Sequence, residues 1–118
     1  MELHERIDGD ALMVEVHETR LDASSAPTLK KRIAALIGNG HHWIALDLSE
    51  VEFIDSSGLS ALVSVLRQLQ GNGDLVLIGP RSTVLSMFKL TRLDRVFRIF
   101  PDQAHALAAC VIQCAPDL

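Results

Sequence analysis

The sequence contains no tyrosine, and aromatic residues make up only 4% of its 118 residues. Stacking platforms for nucleic-acid bases are therefore not expected. Basic charge is also scarce. Eleven Lys and Arg stand against 15 Asp and Glu, a formal net charge of −4. Nonspecific nucleic-acid binding, which rests on clustered Lys and Arg, is excluded on the same ground. No apolar run approaches the roughly 18–20 residues that span a bilayer, so membrane insertion is not expected. The opening Met-Glu-Leu-His-Glu-Arg is polar and shows no secretory leader pattern. The two cysteines, Cys110 and Cys114, are four residues apart on a helical pattern. They are too few for a disulfide framework and lack companion ligands for a metal. They read as ordinary thiols of a cytoplasmic protein.

Enzyme signatures are missing as well. There is no Gly-x-Ser-x-Gly elbow and no Walker loop; Gly71-x-Gly73 stands between a helix and a strand, the wrong order for cradling phosphate. Ser86-Met87-Phe88-Lys89 fits Ser-x-x-Lys, but its companion motifs are absent and the chain is too short for that enzyme fold. It reads as an amphipathic helix. His4, His17, His41, His42 and His105 show no His-x-x-x-His spacing and read as solvated or packing residues. Trp43 reads as packing, and Arg92, Arg95 and Arg98 as a solvated face with a salt bridge as the alternative. No catalytic residue, metal or cofactor is expected.

What the chain has is a core. Hydrophobic residues reach 48% and charged residues 22%, an ordinary globular balance. The length suits one domain over residues 1–118. Strand-like and helix-like segments alternate. Residues 2–7 and 11–17 read as a hairpin through Asp8-Gly9, where both central residues can need positive φ. Residues 26–37 read as a helix capped by Ser24 or Ser25, with Pro27 in its first turn. Residues 43–48 are a nearly continuous apolar strand. From Ser57, an apolar stripe of Leu59, Leu62, Val63, Leu66 and Leu69 predicts a helix ended by Gly71-Asn72-Gly73. Residues 75–78 read as a strand, Ser82 as the cap of a short helix, and residues 96–100 as a strand. Asp102 reads as the cap of a last helix with Ala104, Leu107, Ala108, Val111 and Ile112 on its apolar stripe. The order ββαβαβαβα implies an α/β fold: a mixed, mostly parallel sheet of four to five strands with about four helices.

The informative segment is Leu46-Asp47-Leu48-Ser49-Glu50-Val51-Glu52-Phe53-Ile54-Asp55-Ser56-Ser57-Gly58-Leu59. A buried strand leads through a loop to a helix start rich in small hydroxyls. Ser57 falls on or beside that helix start, at the carboxyl edge of the sheet, where ligands and partners gather in open α/β folds. Gly58 reads as backbone left uncovered for close approach. Asp-Ser-Ser-Gly is also what a plain helix cap looks like.

The wider run from Leu46 to Leu66 resembles the signature of STAS domains, the family of bacterial anti-sigma factor antagonists and of sulphate-transporter tails. Arg20-Leu21-Asp22, Gly73–Gly79 and Leu90-Thr91-Arg92-Leu93-Asp94-Arg95-Val96-Phe97 resemble further family segments in order. Two departures stand out. Glu18-Thr19-Arg20 replaces a glycine frequent before the Leu-Asp pair, and Ser60 occupies a place often held by glycine. The resemblance implies a phosphorylation switch rather than an enzyme. The phosphorylated residue would be Ser57, with Ser56 as the fallback. The partner-binding face would comprise Asp22, Ser24, Asp55, Ser56, Ser57, Gly58, Leu59 and Ser60. The partners implied are a serine-kinase anti-sigma factor, or a related switch kinase, and a serine phosphatase. The unphosphorylated form would bind the kinase, and phosphorylation would release it. A second reading implied by the resemblance is a non-phosphorylated STAS subunit of a bacterial lipid-transport ABC system.

Overall fold

The computed structural model describes residues 1–69, 71 and 73–114. Its elements run β1 (Leu3–Asp8), β2 (Ala11–Val16), β3 (Arg20–Leu21), α1 (Ala26–Gly38), β4 (Trp43–Asp47), β5 (Phe53–Ile54), α2 (Ser56–Leu69), β6 (Asp74–Ile78), α3 (Ser82–Leu90), a 3₁₀ turn (Leu93–Arg95), β7 (Arg98–Phe100) and α4 (Gln103–Cys114). One five-stranded sheet has the order β1-β2-β4-β6-β7. β1 is antiparallel to β2, and the remaining pairs are parallel. The expected mixed α/β sheet is present with five strands and four helices.

Alternation along the strands sorts side chains to two faces. Leu12, Val14, Ile44, Leu46, Leu75 and Leu77 pack with Leu29 and Ile33 of α1, Leu62, Val65 and Leu69 of α2, and Val84 and Phe88 of α3. Ala11, Met13, Trp43, Ala45, Val76 and Ile78 face α4, which meets them with Ala106 and Cys110. The central strands are thus covered on both sides, as their unbroken apolar runs require. Trp43 is a packing residue, 2% exposed. Gly73 lets β6 begin hard against the chain before β4: a Cβ there would lie 1.8 Å from the His42 carbonyl oxygen. Asn72 and the Cys114 side chain lie outside the described residues.

Several local readings are corrected. Of the two residues between β1 and β2, only Gly9 has positive φ (+60°), as in a II′-type hairpin. Ser25 occupies the N-cap of α1 without a side-chain cap bond, because its hydroxyl oxygen turns back to accept from the Asp22 N–H while its O–H donates to the Arg20 carbonyl. Ser82 lies inside α3, and Arg81 takes the cap position. The last strand is shorter than residues 96–100. Arg92, at φ +61°, opens a 3₁₀ turn whose Leu93 carbonyl accepts from the N–H groups of Val96 and Phe97. Phe97 is then buried edge-on to Phe88, with ring centroids 5.7 Å apart. Asp102 caps α4 as read, its carboxylate accepting from the His105 N–H at 2.8 Å. The stripe of α4 is as read only at Leu107, which packs against the sheet face beneath it; Ala106 and Cys110 are buried, whereas Ala104, Ala108, Val111 and Ile112 are exposed. That strand face is filled by Met13, Trp43 and Ile78, and the small Ala106 and Cys110 let α4 lie down on it.

Candidate functional site

The two short strands β3 and β5 are absent from the periodicity, being two residues each, yet they build the site. They pair in parallel, Arg20 with Phe53 and Leu21 with Ile54. Each runs directly into an acidic residue and then a helix start: Leu21 into Asp22 and α1, Ile54 into Asp55 and α2. The Asp55 N–H donates to the Leu21 carbonyl at 3.1 Å, so the two carboxylates leave the same edge. Arg20 lies over the Phe53 ring at 4.3 Å and pairs with Asp22 at 3.3 Å.

Asp55 is the N-cap of α2. Its Oδ1 accepts from the N–H of Ser57 at 2.9 Å and of Gly58 at 3.1 Å. That pins the backbone of Ser57 on the first helical turn. Ser57 is half-buried, and Ser56 and Ser60 are exposed. Ser57, Ser60, Ala61 and Ser64 recur at helical spacing and form one wall of a groove of about 300 Å³; Ala23, Ala26, Pro27 and Lys30 form the other. Among the described residues, no hydrogen bond engages the Ser57 hydroxyl. A hydroxyl on a fixed backbone, at the rim of an open groove with one ammonium, can be reached by a docked protein.

The STAS domain family model matches residues 3–106. The chain belongs to the STAS domain family. A putative anti-sigma factor antagonist of Thermotoga maritima is 29% identical over 100 residues, covering 83% of this chain and 88% of the relative. An anti-sigma-B factor antagonist of Listeria monocytogenes is 30% identical over 80 residues, covering 67% and 70%. A crystal structure of a putative anti-sigma factor antagonist from Thermotoga maritima superimposes with a TM-score of 0.83 at 27% identity, covering 91% of this chain and 92% of that one. An anti-sigma factor antagonist from Mycobacterium paratuberculosis gives 0.83 at 26% identity, covering 92% of each.

In this STAS domain, Asp22 is held well below the usual carboxylate range, at about 2. Its hydrogen bond from the Ser24 hydroxyl (2.6 Å) is the largest cause, followed by the Ser24 N–H (3.0 Å); desolvation works weakly against them, and Arg20 adds to them. Ser24 is thus the anchor of the Asp22 turn as well as an exposed residue. The structure brings Asp22, Ser24, Asp55, Ser56, Ser57 and Ser60 to one end of the STAS domain. Gly58 and Leu59 are different. Both are buried. A Cβ on Gly58 would lie 2.6 Å from the Leu21 carbonyl oxygen and 2.7 Å from Ile54 Cγ1. Gly58 is therefore not backbone uncovered for a partner. It is the place where α2 closes on β3 and β5, and Leu59 anchors the helix in the core beneath.

Sequence spacing also hid a histidine pair. His4 and His17 are far apart in the chain, but the β1–β2 pairing brings their rings together, tilted at 57° with centroids 4.2 Å apart. The signal was available in the hairpin register rather than in any His-x-x-x-His count. Arg98 pairs with Asp74 at 3.8 Å, the salt-bridge alternative named for that cluster. No helix among the described residues is long and apolar enough to cross a membrane.

Proposed function

We propose that this STAS domain is an anti-sigma factor antagonist-type phosphoswitch. Unphosphorylated, it binds a serine-kinase anti-sigma factor or a related switch kinase; phosphorylation of Ser57 releases it, and a serine phosphatase resets it. The observation that carries the reading is Ser57 itself: a half-buried hydroxyl on an Asp55-capped first turn, opening on the α1–α2 groove. The relatives named anti-sigma factor antagonist support the direction of the reading.

The domain supplies an acceptor and no catalysis. The Ser57 oxygen attacks the γ-phosphorus of nucleotide held by the kinase. The new O–P bond forms as the β–γ bridge breaks, ADP leaves, and the hydroxyl proton passes to the kinase's base. Ser57 is preferred to Ser56 because its side chain lines the groove, whereas Ser56 does not.

The phosphate, about −1.5 to −2 in charge, then acts on docking rather than on the fold. The helix start has little left to offer it, since Asp55 already occupies the N–H groups of Ser57 and Gly58. The Asp55 carboxylate repels a phosphate of that charge by roughly 2–3 kcal/mol at about 6 Å and an effective dielectric near 40. The residual helix dipole contributes about 0.3–1 kcal/mol the other way. Lys30 on the opposite wall favours the anion. The helix dipole and Lys30 offset part of that repulsion in the free domain, where the phosphate also keeps its water. In a docked complex the dianion is stripped of water without a partner, at a cost of several kcal/mol. Each ~1.4 kcal/mol is tenfold in affinity.

The test is incubation with a serine-kinase anti-sigma factor and Mg-ATP, read by intact mass, peptide mapping and binding. Wild type gains one phosphate, at Ser57; Ser57→Ala gains none and still binds. Ser57→Asp binds at least roughly tenfold more weakly with an unchanged melting temperature. Phosphate mapped elsewhere, or equal binding by Ser57→Asp, contradicts the proposal.

A further inference from the structure

Away from the groove, the β1–β2 hairpin assembles an unusual set of electron-pair donors. Strand register places His4 opposite Glu15, and His17, just beyond β2, projects to the same face two residues on. One ligand atom from each of His4, Glu15 and His17 lies within 4.8 Å of the other two. The Nδ1 of His17 contacts the Glu50 carboxylate, so the ring proton belongs there and Nε2 carries the lone pair. That Nε2 is shut off from solvent and has no hydrogen-bond partner. It faces the Glu15 carboxylate at 3.9 Å, beyond hydrogen-bond range. In the neutral ring, that lone pair and the Glu15 carboxylate are turned toward each other.

We propose that His4, Glu15 and His17 form a three-ligand site for a divalent transition cation of the zinc class. Two imidazoles and one carboxylate suit a borderline-soft ion, whereas magnesium and calcium need oxygen sets. Glu50 is the outer carboxylate that fixes the tautomer and orientation of a metal-binding imidazole. Tetrahedral bonds of about 2.0–2.1 Å place ligand atoms about 3.4 Å apart, so from separations within 4.8 Å the trio must close by up to about 1.4 Å. His4 and Glu15, with side chains 59% and 43% exposed, are free to make that movement toward the anchored His17. Glu2, 3.3 Å from the His4 Nε2, exchanges its contact for the ion or joins as a fourth ligand. The ion would tie both hairpin strands to the loop that carries Glu50.

A proton on His17 is the competing occupant, and the experiment separates the two. The full chain is titrated at pH 7.5 with zinc chloride by calorimetry and with cobalt(II) by visible absorption. Histidine ring nitrogens are followed by NMR alongside. The proposal requires one equivalent bound, tetrahedral cobalt absorption, and ring shifts at His4 and His17. His4→Gln and His17→Gln each lose at least roughly tenfold in affinity, Glu50→Gln loses roughly 10- to 100-fold, and His42→Gln is unchanged. No binding up to about 1 mM, ring shifts confined to His41, His42 or His105, or wild-type affinity in both hairpin variants overturns it.

Discussion

Asp55 performs two tasks with one oxygen. It caps α2, and by capping it holds the Ser57 backbone still. Asp55→Ala removes both bonds and is expected to cost about 0.5–2 kcal/mol in thermal or denaturant unfolding, the usual range for an N-cap. It also loosens the Ser57 turn, so phosphorylation by the kinase should slow even where the domain remains folded. Asp22 works differently. Its carboxyl is lowered to about 2 by the Ser24 hydroxyl and N–H. Because the folded value is depressed below the ordinary one, its contribution is complete above pH ~4. It fades as pH falls through about 2, and Ser24→Ala, which removes the hydroxyl but keeps the residue-24 N–H and Arg20, should reduce that loss in a pH-dependent melt. Asp74 runs the opposite way. Burial raises its pKa against the weaker pull of the Leu75 N–H and Arg98, so protonating it in mild acid relieves rather than strains the fold. These roles were partly open to sequence reading. Asp-Ser-Ser-Gly announces a cap, and Asp55 is one. That Ser24 serves Asp22, and that Ser25 turns back to Arg20, depends on which way a two-residue turn bends, and composition does not encode that.

Between elements, the two glycines that matter are contact glycines. Gly58 lies where α2 crosses β3 and β5, with the Leu21 carbonyl 2.6 Å from where a Cβ would stand. Gly58→Ala gains up to about 1 kcal/mol of helix propensity. It pays about 1–3 kcal/mol in overpacking against a backbone atom that cannot rotate away. Net destabilisation is expected, together with weaker kinase binding because Asp22 and Asp55 are pushed apart. Gly73→Ala meets the His42 carbonyl far closer and should fall at or above the ~3 kcal/mol top of that overpacking range. Urea unfolding of the two variants ranks them. The long elements were legible because their apolar stripes exceed two turns or four strand residues: α1, α2, β4 and β6 all lie within a residue or so of the sequence reading. The pair β3–β5 was not, since two residues carry no period and their pairing is long-range. For α4, hydrophobicity named the wrong face. Shape decides there, because Ala106 and Cys110 pack on a face filled by Met13, Trp43 and Ile78 while Val111 and Ile112 remain exposed.

On the scale of the whole molecule, the sheet separates two jobs. The face covered by α1–α3 carries the larger core and ends in the groove with Ser57; the other carries α4 and the smaller core. Leu62, fully buried under the groove, is a test of that division. Leu62→Ala should cost about 2–5 kcal/mol and lower melting temperature, while kinase affinity of the fraction still folded changes little, since no groove wall is removed. Ser57→Asp should do the reverse. The family resemblance pointed to Ser57 and to both acids, Asp22 and Asp55, in advance, and the structure adds what a linear motif lacks: the opposing α1 wall and its Lys30. The decisive measurement is the affinity of a serine-kinase anti-sigma factor for unmodified protein and for protein phosphorylated at Ser57, made beside melts of both. The account predicts at least roughly tenfold weaker binding with nearly coincident melts. Equal affinity for the two forms, or a phosphorylated form that has lost its fold, would contradict it.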